Sequence, residues 1–246
     1  MSTAPSAAPL GGVRAALQIR GALRRFGVRV LASHPVPPTP AAGRGARTLL
    51  VGPDPIRVLV FGCGLGIGYG VTDRSRAFDG HLARALQQRT GRGVVIENRA
   101  RMHDDGTRAD RESCGSAGAR TFDVAIYAPD YLSIAEHVRL HAWTALFERV
   151  AAQMADETAP LVFAPYPLVG GRHIHLALIR AQVVRAHRAL QAVASRHGHT
   201  VADQGRVTLQ DPGGGMFNEP YYASCTPPIA EAVLKTLKIR ALATTA

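Results

Sequence analysis

Apolar residues in this chain gather into short runs separated by longer segments of helical period. The run Ile56–Phe61, broken only by Arg57, predicts a buried strand. It ends in a turn with glycine at every second position from Gly62 to Gly70. Val94–Ile96, Phe122–Ala128, Leu161–Ala164 and Thr200–Ala202 predict four further strands, with Val207–Leu209 as a candidate addition to the last. Between the strands, apolar residues recur at spacings of three and four. Phe78, Leu82, Ala85 and Leu86 mark one helix, with Asp73 as its cap and Gly91 as its end. Val138, Ala142, Ala145, Leu146 and Val150 mark the inward face of a helix over Ile134–Met154. A long helix over His173–His197 and a last one over Ile229–Leu242 follow. Short apolar strands alternating with helices define a parallel sheet covered on both faces.

The regions outside this pattern set the domain organisation. Residues 1–47 form an arm: a Ser/Ala/Pro-rich start, a basic amphipathic segment at 13–31, and a linker carrying Pro35, Pro37, Pro38 and Pro40. The folded domain is expected from Leu49, giving a domain over residues 48–246. Residues 98–120 are polar and rich in Arg, Asp and Gly, a length that marks a functional or unstructured loop.

Composition narrows the classes. The net charge is +11, but the arginines are spread along the chain, and no aromatic-and-basic motif of a nucleic-acid module is present. The segment 13–31 suits either packing on its own domain or weak contact with an anionic membrane surface. Cys63, Cys114 and Cys225 are too widely spaced for a disulfide framework or a zinc site, which fits a reducing, cytoplasmic setting. Arginines interrupt the apolar runs near the start, so a secretory leader is not expected.

The order of segments resembles the SGNH/GDSL hydrolase superfamily of esterases and lipases. PIRVLVFGCGLGIGYGV lies where that family has its first strand and Gly-Asp-Ser turn, and HLARALQQRTGR is similar to its first helix. FDVAIYA resembles the third family strand, RAHRALQAVASRHG the long helix before the last strand, and AEAVLKTL the closing helix. The resemblance implies a flavodoxin-like, three-layer α/β/α sandwich on a mainly parallel five-stranded sheet. It also implies where the chemistry should lie, and there the chain departs. In register with Gly-Asp-Ser stand Gly62, Cys63 and Gly64, so glycine replaces the nucleophile. His103 falls at the second block, with Gly106 as a rival. Asp130-Tyr131-Leu132-Ser133 replaces Gly-x-Asn-Asp, and Asn218 to Ser224, including Glu219, Tyr221 and Tyr222, replaces Asp-x-x-His. No histidine occurs after His199. Serine hydrolysis needs a hydroxyl, an imidazole to deprotonate it, and donors for the oxyanion, so the ordinary family reaction is not expected.

Two readings of the remaining polar residues stay open. Cys63 is either a small buried residue under the turn or a thiol nucleophile with His103 as base and Asp104 or Asp105 orienting it. The residues Gly62, Gly64, Asp130, Tyr131, Glu219, Tyr221 and Tyr222 would line a crevice at the strand ends, open to a small acyl or ester-like molecule. His103, Asp104, Asp105, Asp130 and Glu219 lack metal-ligand spacing, so no metal or other cofactor is expected. VLVFGCGLG also resembles the cofactor turn of S-adenosylmethionine-dependent methyltransferases, with Glu97 as the acidic partner. This is the weaker likeness, because no G-x-G-x-x-G register completes.

Overall fold

The structure is a computed structural model that describes residues 39–40, 46–101, 121–129, 140–156, 159–165, 174–203 and 218–245. The described strands are β1 (Ala46–Leu50), β2 (Ile56–Gly62), β3 (Val94–Asn98), β4 (Val124–Ala128), β5 (Leu161–Phe163) and β6 (Thr200–Val201). The helices are α1 (Phe78–Thr90), α2 (Leu140–Asp156), α3 (Ile174–Arg196) and α4 (Glu219–Thr245). Short 3-10 turns at Gly64–Ile67 and Arg74–Arg76 join β2 to α1.

All six strands form one sheet in the order β1-β3-β2-β4-β5-β6. From β2 onward the pairs are parallel, and β2 lies between β3 and β4. Omitting β1, the strands run second, first, third, fourth, fifth, which is the flavodoxin-like order. The switch in direction falls beside β2, so the turn after β2 sits at the topological switch point, where ligands bind in such sheets.

Alternation along the strands builds two cores. Ile56, Val58 and Val60 of β2 point to a layer with Phe78, Leu82 and Leu86 of α1 and Ile229 and Val233 of α4. Leu59 and Phe61 point the other way, to Phe147 and Val150 of α2 and Leu190 and Val193 of α3. Both sets are fully or nearly fully buried, and each such side chain contributes about 1.5–3 kcal/mol of burial free energy.

Three features depart from the sequence pattern. The sheet has a sixth strand, because β1 begins at Ala46 and pairs antiparallel with β3, from Ala46↔Asn98 to Leu50↔Val94. A short edge strand exposed on one face carries little alternation to reveal it. The buried face of α2 is Trp143, Phe147, Val150, Ala151 and Met154, while Ala145 is exposed. Large aromatics set the phase of that helix, where alanine spacing suggested another. Finally, α4 starts at Glu219, well before Ile229, and passes through Pro227 and Pro228. Each proline removes a helical donor, leaving the carbonyls of Ala223 and Ser224 unserved. Both residues are exposed, so water can satisfy them.

Candidate functional site

The turn after β2 is built by close backbone approach. Gly62 has φ +93°, and a Cβ there would lie 2.3 Å from the carbonyl oxygen of Ala128. The Cys63 amide donates to that same carbonyl at 2.8 Å, joining the turn to the end of β4. Gly62 in turn accepts from the amide of Arg101 at 2.8 Å, which extends the β2–β3 ladder past the strand. At Gly66 a Cβ would meet the Ala100 methyl at 2.4 Å, and at Gly68 it would meet Pro40 at 3.0 Å. The chain's own atoms therefore fill the space that these glycines leave.

Asn98 fastens the turn from the other side. This 6 % exposed amide donates from Nδ2 to the Gly66 carbonyl at 2.8 Å and accepts at Oδ1 from the Ala100 amide at 3.0 Å. The sequence signal for it was a polar residue closing the apolar strand VVIEN. Asp73 caps the short turn at Arg74–Arg76, accepting from the Ser75 amide at 2.8 Å, and Ala77 instead precedes α1.

The start of α4 closes on this turn. Asn218 caps the helix, its Oδ1 accepting from the Tyr221 amide at 3.0 Å. Tyr222 is fully buried and donates its hydroxyl to the Tyr69 carbonyl at 2.8 Å. Burial pushes that hydroxyl well above its ordinary range, so it stays a donor. Tyr221 is also buried, its ring edge-on to Tyr222 at 5.4 Å. Glu219 lies at the rim, where Arg76 donates to it at 2.6 Å and the His81 ring stands 3.9 Å away. The Arg76 hydrogen bond holds the Glu219 carboxyl below its ordinary value. Burial, and then the Arg84 charge, push His81 down, so its ring is neutral near pH 7.

The Tyr222 hydroxyl thus ties the start of α4 to Tyr69, at the far end of the turn that begins with Gly62, Cys63 and Gly64. Cys63 is 3 % exposed, and Gly64 is buried with φ +46°. Cys225 is fully buried in α4, and its thiol is pushed up to about 12 by burial, which leaves it protonated. His103, Asp104, Asp105, Asp130 and Tyr131 lie outside the described residues. Among the described residues no group of three His, Cys, Asp or Glu side chains could hold a metal, and no helix is long and apolar enough to cross a membrane.

Sheet order, layers and the glycine turn after β2 define an SGNH/GDSL-like α/β hydrolase fold, and solved structures agree. LAE5, an α/β hydrolase from the metagenome of Lake Arreo, superposes with a TM-score of 0.56 at 13% identity, over 76% of this chain and 97% of its own. The acetylxylan esterase Axe2 from Geobacillus stearothermophilus gives 0.54 at 10% identity, over 76% and 95%. A lipolytic protein of the G-D-S-L family from Desulfitobacterium hafniense gives 0.56 at 10% identity, over 72% and 98%. No protein-family model matches the sequence, and no curated protein does.

Proposed function

We propose that this chain is an SGNH-like protein without serine-esterase activity, retaining the crevice as a binding site for a small acyl or ester-like molecule. The observation that carries this reading is Gly64. It occupies the position that the family register gives to the nucleophile, and the whole turn from Gly62 to Gly70 contains no serine or threonine. The lack of any histidine after His199 removes the usual base as well. A hydroxyl nucleophile without its base, or a base without its nucleophile, leaves little of the acyl-transfer mechanism.

The packing of the turn bears on the alternatives. A Cβ-sized space at Gly62, Gly66 or Gly68 is already taken by Ala128, Ala100 or Pro40, which weighs against the turn as a cradle for S-adenosylmethionine. The burial of Cys63 weighs against a free thiol nucleophile working with His103 and Asp104. The test uses purified full-length protein. Short-chain p-nitrophenyl esters should be hydrolysed no faster than in buffer, and native mass spectrometry should detect a small molecule that protects the fold in a thermal-shift assay. Ester turnover that disappears in both Cys63→Ser and His103→Ala would replace this reading with a rebuilt cysteine site.

A further inference from the structure

The described residues expose two large aliphatic side chains, Leu49 at 62 % and Val51 at 85 %. Both lie at the same edge of the sheet. Leu49 is in β1 and Val51 directly follows it, so strand alternation puts them on one side. Thr48 and Leu50 take the other side: Thr48 donates to Asp79 of α1 at 3.0 Å, and Leu50 packs on the first core. β1 pairs with β3 and has no second strand neighbour among the described residues. Soluble proteins usually blunt such an edge with lysine, proline, a bulge or an inward charge. Ala46–Leu50 has no lysine or proline, and its register with β3 is unbroken. Its one charge, Arg47, points along the ladder to Glu97 at 3.3 Å.

We propose that β1 is the contact through which two copies of this chain pair, strand against strand about a two-fold axis, so that the sheet continues from one subunit into the other. The sequence is self-complementary in the antiparallel register centred on Leu49. Leu49 then opposes its counterpart, Arg47 opposes Val51, Thr48 opposes Leu50, and no charge meets a like charge. The chain's own arm is a poorer occupant. Residues 1–45 carry arginine and no acidic residue, and they would bring that charge against Arg47, which is exposed and of the same sign. A two-fold contact of one patch with itself is also the commonest closed arrangement of soluble chains.

Sedimentation velocity of the full-length protein at tens of micromolar should show a concentration-dependent dimer. The double variant Leu49→Lys with Val51→Lys should be monomeric with an unchanged circular dichroism spectrum and melting temperature, since both side chains are exposed in the single chain. In a Cys114→Ser background, Leu49→Cys should form a covalent dimer on mild oxidation, because opposed residues in an antiparallel pair lie about 4.5–5.5 Å apart at Cα. Gln88→Cys, on the outer face of α1, should not. A wild-type chain that stays monomeric at these concentrations overturns the proposal. So does a dimer that survives the double lysine variant while Leu49→Cys fails to cross-link.

Discussion

Gly64 carries the proposed loss of esterase chemistry. Its φ of +46° lies in the left-handed region that glycine occupies freely. Gly64→Ser should therefore cost about 1 kcal/mol in urea denaturation and restore no ester turnover, since no base is supplied with the hydroxyl. Ester hydrolysis well above the parent chain would contradict this. Gly62 is held more tightly, by φ +93° and the Ala128 carbonyl 2.3 Å from any Cβ. Gly62→Ala should cost about 3 kcal/mol or more, measured by the same denaturation. Two histidines set a pH dependence. His81 and His199 are both held below their ordinary value of 6.5, each chiefly by burial. The unfolded chain then takes up protons first, so stability falls as pH drops below 6.5 and levels off below the depressed folded values. Denaturation midpoints should fall from roughly pH 7 to pH 5, and His199→Gln, which can still donate to the Ala151 carbonyl, should flatten part of that slope. An unchanged slope would assign the effect to other groups.

At the scale of elements, the sequence was readable wherever burial is strong and repeated. The apolar run of β2 and the spacing of Phe78, Leu82 and Leu86 in α1 are imposed by the two cores, and both elements stand where that pattern puts them. It was unreadable where contacts are long-range. The last helix was expected from Ile229, yet the preceding Tyr222 is fixed to Tyr69, and α4 is helical back to Glu219. β1 depends likewise on a distant partner, since Thr48 and Arg74 both donate to the buried Asp79, at 3.0 Å and 2.9 Å. Asp79→Ala leaves Arg74 largely buried without its partner and should cost about 3 kcal/mol, against much less for Asp79→Asn. Deletion of residues 1–38, which spares the buried Pro40, should leave the melting temperature nearly unchanged, whereas deletion of residues 1–50 also removes Pro40 and β1 and should lower it sharply. Equal effects of the two deletions would show that β1 adds nothing to the sheet.

For the whole molecule, the framework is established apart from the chemistry. The sheet order and the two helical layers are those of an SGNH/GDSL-like fold, and solved structures of that fold superpose over most of their own length. The framework was legible because it rests on hydrophobic pattern. The proposed loss of chemistry rests on residue identity alone: glycine stands at the nucleophile position of the family register, and no histidine follows His199. What a site at the strand ends would recognise was not legible, because binding segments carry no periodic pattern. The most direct test of the central claim is labelling of the purified, folded protein with a fluorophosphonate probe, which reacts with activated serine hydroxyls. The account predicts no labelling above a heat-denatured control. Stoichiometric labelling of a single serine would contradict it and show that a nucleophile has been rebuilt elsewhere in the crevice.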